Sequence, residues 1–196
     1  MMHHHVKAAI SAGISFYITD LVKFKGLFPL IPSATLEALH AEIVASPPEV
    51  RPFAEAGTAH LPVVVVQLQD RTVLNRPLGG QSSHGVESMI SKQTVQIEVM
   101  GKGSDLVHVL ADLTLRVIQT ARSDFLSGGY ITFQIESSQG LDPHEQLAAE
   151  EMGVFLRRFS ISAMVQEDSL RAGNWDVSLG TLSMGLVSEG GRITTL

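Results

Sequence analysis

The chain has no cysteine. That removes disulfide frameworks and thiolate metal clusters in one step, and with them any inference about redox compartment. Charge is also scarce: only 17% of the 196 residues are charged, with 14 Lys+Arg against 20 Asp+Glu and a formal net charge of −6. A surface that neutralises duplex phosphates needs clustered cations, and the basic pairs here are short ones such as Arg157-Arg158. Long apolar runs are missing as well. The most apolar early stretch, residues 6–21, is interrupted by Lys7, Ser11, Ser15, Thr19 and Asp20. It falls short of the roughly 20 apolar residues of a membrane span and does not read as a cleaved signal. Hydrophobic residues, by contrast, make up 44% of the chain. So apolar a composition, with so little charge, points to surface covered by other subunits as well as by the chain's own core.

The first apolar stretch reads as an amphipathic helix, because Val6, Ile10, Gly13, Ile14, Tyr17 and Leu21 follow helical spacing. Gly13 inside it costs about 1 kcal/mol relative to alanine. His3, His4 and His5 precede this face and read as a solvated N-terminus. Gly26, Pro29 and Pro32 then break regular structure, and Ser33 stands as the N-cap of a helix over 34–44 that Ser46-Pro47-Pro48 ends. Residues 49–60 read as an extended loop. Residues 61–68 predict a strand inside a sheet, because Val63 to Val66 are β-branched at every position and apolar on both faces.

Residues 76–88 are rich in Gly, Ser and Pro and predict a mobile loop or arm. From Lys92 the pattern alternates strictly, Val95, Ile97 and Val99 against Thr94, Gln96 and Glu98, as a half-buried strand does. Gly101-Lys102-Gly103 turns the chain into a helix capped by Ser104 and running to about Arg122. Leu106, Val109, Leu110, Leu113, Val117 and Ile118 give it one apolar face. After the turn Ser127-Gly128-Gly129, residues 130–136 alternate again. Asp142-Pro143 opens a short acidic helix that Gly153 closes. The last strong strand spans 154–166, and its apolar parity changes, so a bulge near Arg157-Arg158 is expected. Beyond Asp168 the chain is Gly- and Ser-rich, yet Trp175, Leu179, Leu182, Met184 and Leu186 are too apolar for a solvated linker and mark a candidate intersubunit arm.

The pattern therefore implies an α+β fold. Its sheet is mixed and mainly antiparallel, of about four to five strands, packed by a central amphipathic helix. The organisation is an N-terminal helical region over 1–60, a core over 61–168 and an extended C-terminal arm over 169–196.

Candidates for chemistry each have a plainer reading. Gly101-Lys102-Gly103-Ser104 lacks the Gly-x-x-x-x-Gly-Lys-Ser/Thr spacing of a nucleotide loop and reads as a strand-to-helix turn. His144-Glu145 lacks the second histidine of a zinc helix, since position 148 is Ala148. No Gly-x-Ser-x-Gly elbow presents a serine to His84. His108 reads as a packed or hydrogen-bonded histidine, and His40 and His60 as residues near loop boundaries. No catalytic residue, cofactor or metal site is assigned. A ligand-binding or hydrolytic α+β domain using His84 or His144 stays the alternative class, together with an oligomeric scaffold unrelated to phage.

The order of Leu61-Pro62-Val63-Val64-Val65-Val66, the strand 93–100, the helix 104–122, the strand 130–136 and the strand 154–166 resembles the bacteriophage tail terminator, or tail-completion neck protein, family. The resemblance covers roughly residues 61–168 and is one of element order and residue texture rather than of a motif. It implies a virion protein, assembled in the host cytoplasm, that forms a hexameric ring on the tail tube and docks the head connector while genome DNA passes through without specific binding. No enzymatic chemistry and no membrane contact are implied. The longer N-terminal region and the arm leave three roles open: a terminator, a related neck ring, or a terminator that also holds a contractile tail sheath. Glu98, Glu136, Glu145, Glu150 and Glu151 are the candidate lumen-facing acids.

Overall fold

A computed structural model describes residues 2–53, 60–74, 86–136, 151, 153–172 and 175–178. The helices are α1 (Met2–Ile18), α2 (Leu21–Leu27), α3 (Ser33–Ala45), α4 (Ser104–Thr120) and α5 (Arg122–Ser127). The strands are β1 (Glu49–Pro52), β2 (Val63–Leu74), β3 (Val86–Gly101), β4 (Tyr130–Glu136), β5 (Phe155–Ala172) and β6 (Trp175–Ser178). They form one mixed sheet in the order β1-β2-β3-β5-β4, with β6 folded back on the end of β5. Only the β1–β2 pairing is parallel. The fold is α+β, with the N-terminal helices packed on a mostly antiparallel open sheet.

Burial follows the alternation of β3. Val95, Ile97 and Val99 are fully buried with Val64, Val66, Phe133, Phe159, Ile161 and Ala163, and α4 closes this core with Leu106, Leu110, Leu113, Val117 and Ile118. Helix α1 lies alongside α4 and contributes Met2, Val6, Ile10 and Ile14 to the same core. The glycine inside α1 is explained by this packing. A Cβ on Gly13 would lie 2.3 Å from Val117 Cγ1 and 3.0 Å from Val117 Cβ, so α1 sits as close to α4 as it does only because position 13 has no side chain. The four valines of β2 are buried on both faces, and β2 lies between β1 and β3 as the composition implied.

Several expectations are corrected. Helices α3 and α4 begin one residue earlier than a serine cap would place them. Ser33 and Ser104 are first helical residues, and the capping groups are the carbonyls of Pro32 and Gly103, which accept from Leu36 N and Val107 N at 3.1 and 3.0 Å. Arg122 belongs to α5, a short helix that turns the chain so that Phe125 stacks on Phe133, ring centroids 4.6 Å apart. Residues 21–27 are helical although Gly26 lies among them, because the Asp20 carboxylate accepts from Val22 N and Lys23 N and starts the turn. Part of the expected 49–60 loop is the edge strand β1.

No bulge interrupts β5 at Arg157-Arg158: its register with β3 is unbroken from Phe155 to Leu170. The parity change has a different cause. Leu156 lies on the face away from the helices and is half-buried there, so the apolar residues of β5 never had to share one face. The sheet's irregularities lie instead between Leu68 and Asp70 and between Tyr130 and Thr132. Val86 to Ser88, expected in the loop, pair with Leu170 to Asp168, while residues 75–85 lie outside the described residues. The sheet likewise takes the start of the expected arm, Ser169 to Ala172 and Trp175–Ser178.

Candidate functional site

Register fixes what the sheet offers on the side away from the helices. Because paired residues point to the same face, rows of side chains cross the strands there. One row is Arg51, Val65, Glu98 and Arg158; the next is Gln67, Gln96, Ser160 and Glu136; a third is Thr94, Ser162 and Gln134. This face is polar and self-bonded. Arg158 Nε donates to Glu98 Oε1 at 2.7 Å and Gln96 Nε2 donates to the same oxygen at 2.7 Å. Ser160 Oγ donates to Glu136 Oε2 at 3.3 Å, and Arg51 pairs with Glu49 at 2.7 Å.

These pairings decide what the candidate acids offer. Glu98 is half-buried and neutralised by Arg158, so it contributes no free negative charge. Glu136 shares the face with Glu98, one row along, and is exposed. Glu151 is exposed, whereas Glu145 and Glu150 lie outside the described residues. Trp175 lies in β6, of whose side chains nothing is described, and Leu179, Leu182, Met184 and Leu186 lie outside the described residues.

The histidines divide similarly. His3 and His5 are half-buried on α1 rather than solvated, and His5 Nδ1 lies 3.1 Å from Tyr130 Oη at the start of β4. Burial pushes the Tyr130 phenol up to about 12, and burial lowers both His3 and His5 from the usual histidine value, with neighbouring positive charge adding to the effect. His108 is exposed, not packed, because position 108 falls on the outer side of α4. His40 Nε2 donates to the Ile18 carbonyl, 2.9 Å away, and the ring packs at a tilt against Phe24. His60 is exposed, and His84 and His144 lie outside the described residues.

Among the described residues no group of three His, Asp or Glu side chains is placed to hold a metal ion. A depression lined by Gln69, Gln96, Arg158, Phe159 and Ser160 lies on the polar face but encloses no space for a small molecule. No helix among the described residues is long and apolar enough to cross a membrane.

The two sheet edges differ in a way the sequence did not announce. Edge strand β1 is four residues long, carries the paired charges of Glu49 and Arg51, and ends on Pro52. Each of those features discourages a further strand. Edge strand β4 is seven residues long, contains no proline and has one charge, at its last residue. It is paired on one side only among the described residues, its own Ile131 is exposed, and the exposed Leu126 lies in α5 just before it. An edge of that kind is a template for another strand. Its signal in the sequence was the absence of Lys and Pro from Tyr-Ile-Thr-Phe-Gln-Ile-Glu, which becomes informative only once the strand is known to lie at an edge. Neither protein-family models nor curated proteins give a match to this chain.

Proposed function

We propose that the chain is a structural, non-enzymatic subunit that closes into a ring, a hexamer by the family resemblance, at the head-proximal end of a phage tail. There it ends the tail tube and joins it to the head connector. The observation that carries the self-assembling part of this reading is the outer edge of β4, paired on one side only among the described residues and free of proline and lysine. An edge contacting a different surface on the next copy is a heterologous interface, and such an interface generates a ring when the rotation between copies closes. The phage assignment rests on the element order set out above. In this reading the partners are the tail tube protein, the connector or head-completion protein and, in a contractile tail, the sheath. DNA passes a lumen kept from sticking by net negative charge, to which the exposed Glu136 and Glu151 contribute.

Native mass spectrometry of the full chain, alone and with purified tail tubes, tests this. One closed oligomer, alone or on tubes, is the expected outcome. Monomer under both conditions refutes the ring.

A further inference from the structure

The register of β6 limits where the chain can go next. Ser178 stands opposite Ser169 on β5, and β6 occupies the same side of β5 as β4 does. A strand continued in that register would come level with Gln166 after three more residues. The next position, opposite Val165, is already held by Tyr130. The register of β6 therefore has no free position on β5 beyond residue 181. Yet Leu182, Met184 and Leu186 alternate with Ser183, Gly185 and Val187, a two-residue period that places three large apolar side chains on one face of a strand.

The outer edge of β4 offers what such a strand lacks. On the helix side it presents the half-buried Ile135, with the exposed Leu126 in the α5 helix that leads into the strand, and on the other side the polar Thr132, Gln134 and Glu136. To reach its own β4 edge the chain would have to step sideways by one strand spacing, about 4.8 Å, around the Gly128-Gly129 turn that leads into Tyr130. It would then run parallel to β4, because β4 and β6 are both antiparallel to β5. A neighbouring copy approaches from outside and can pair antiparallel, the more stable arrangement.

We infer that residues 182–188 of one copy add as a strand to the outer edge of β4 in the next, with Leu182, Met184 and Leu186 covering Ile135 and Leu126. This contact rests on the ring reading and names its adhesive part.

The cysteine-free chain makes the test direct. Full-length Gln134→Cys and Ser183→Cys variants are mixed and treated with a short thiol cross-linker. A covalent species of two chains, one of each variant, is expected. In the double variant, a link confined to one chain at monomer mass overturns the inference. The triple variant Leu182→Ser, Met184→Ser, Leu186→Ser should melt like the parent and require at least about tenfold more protein to assemble, from the loss of three buried apolar side chains. Rings that form normally in that variant overturn the inference and leave the ring reading standing. A parent chain that stays monomeric at every concentration, with and without tail tubes, overturns both.

Discussion

Replacing Gly13 by alanine should destabilise the protein, against the usual direction for a glycine inside a helix. In an exposed helix the change would gain about 1 kcal/mol. Here the added methyl would meet Val117 Cγ1 at 2.3 Å, Cγ2 at 2.7 Å and Cβ at 3.0 Å, where carbon atoms prefer about 3.5–4.0 Å. Rotating Val117 does not relieve this, because its Cβ is itself too close, so α1 has to move away from α4. Overpacking of this kind costs about 1–3 kcal/mol, and the rigid stem of Val117 puts the cost toward the upper end. Setting about 2–3 kcal/mol against the gain in helix propensity leaves a net loss of about 1–2 kcal/mol. For a chain of this size that lowers Tm by roughly 2–8 °C. Thermal unfolding followed by circular dichroism reads the shift. A double-mutant cycle with Val117→Ala should show coupling, the alanine at 13 being tolerated better once both Val117 methyls are gone. A Gly13→Ala protein that melts higher than the parent would refute the close approach of the two helices.

Three further outcomes follow from the same packing. Arg158→Ala leaves the Glu98 carboxylate, 12% exposed, without its cation and with the Gln96 amide still donating to it, and should cost about 1.5–3 kcal/mol in urea unfolding; a change within about 0.5 kcal/mol would show that the pair adds nothing. Phe125→Ala removes a buried ring stacked on Phe133 and edge-on to Tyr130, and should cost about 3–5 kcal/mol in the same assay; a loss under about 1 kcal/mol would contradict that packing. The phenol of Tyr130 titrates near 10 when unfolded and at about 12 when folded, so the unfolded chain ionises first. Stability should fall as pH rises from 10 toward 12, with a shallower fall in Tyr130→Phe; identical alkaline profiles for the two proteins would exclude this cause.

Elements long enough to show a period were legible in the sequence: α3, α4, β4 and the buried stretch of β2 lie close to the expected bounds, whereas α1 is helical as expected but runs from Met2 to Ile18, taking in the three histidines and ending before Leu21. What escaped was set by pairing rather than by composition. Val86 to Ser88 end a Gly- and Ser-rich run and so read as loop, and become strand because β5 supplies their backbone partners. β1 is too short to carry a period. α2 had a legible signal in Asp20, which was masked by the glycine and prolines that follow. Within the candidate site, Glu98 and Glu136 read as lumen acids, but only the register reveals that Arg158 crosses to one of them and Ser160 to the other. The edge at β4 was invisible for the same reason. A strand's position in a sheet is a property of its neighbours, and the alternation of residues 130–136 is the same at an edge as in the middle.

Single-particle electron microscopy of the purified full chain tests the central claim most directly, because it shows closure and symmetry together. The account predicts closed rings with a central opening, alone or on added tail tubes, with six copies by the family resemblance; isolated single subunits both with and without tubes, or open filaments, would contradict it.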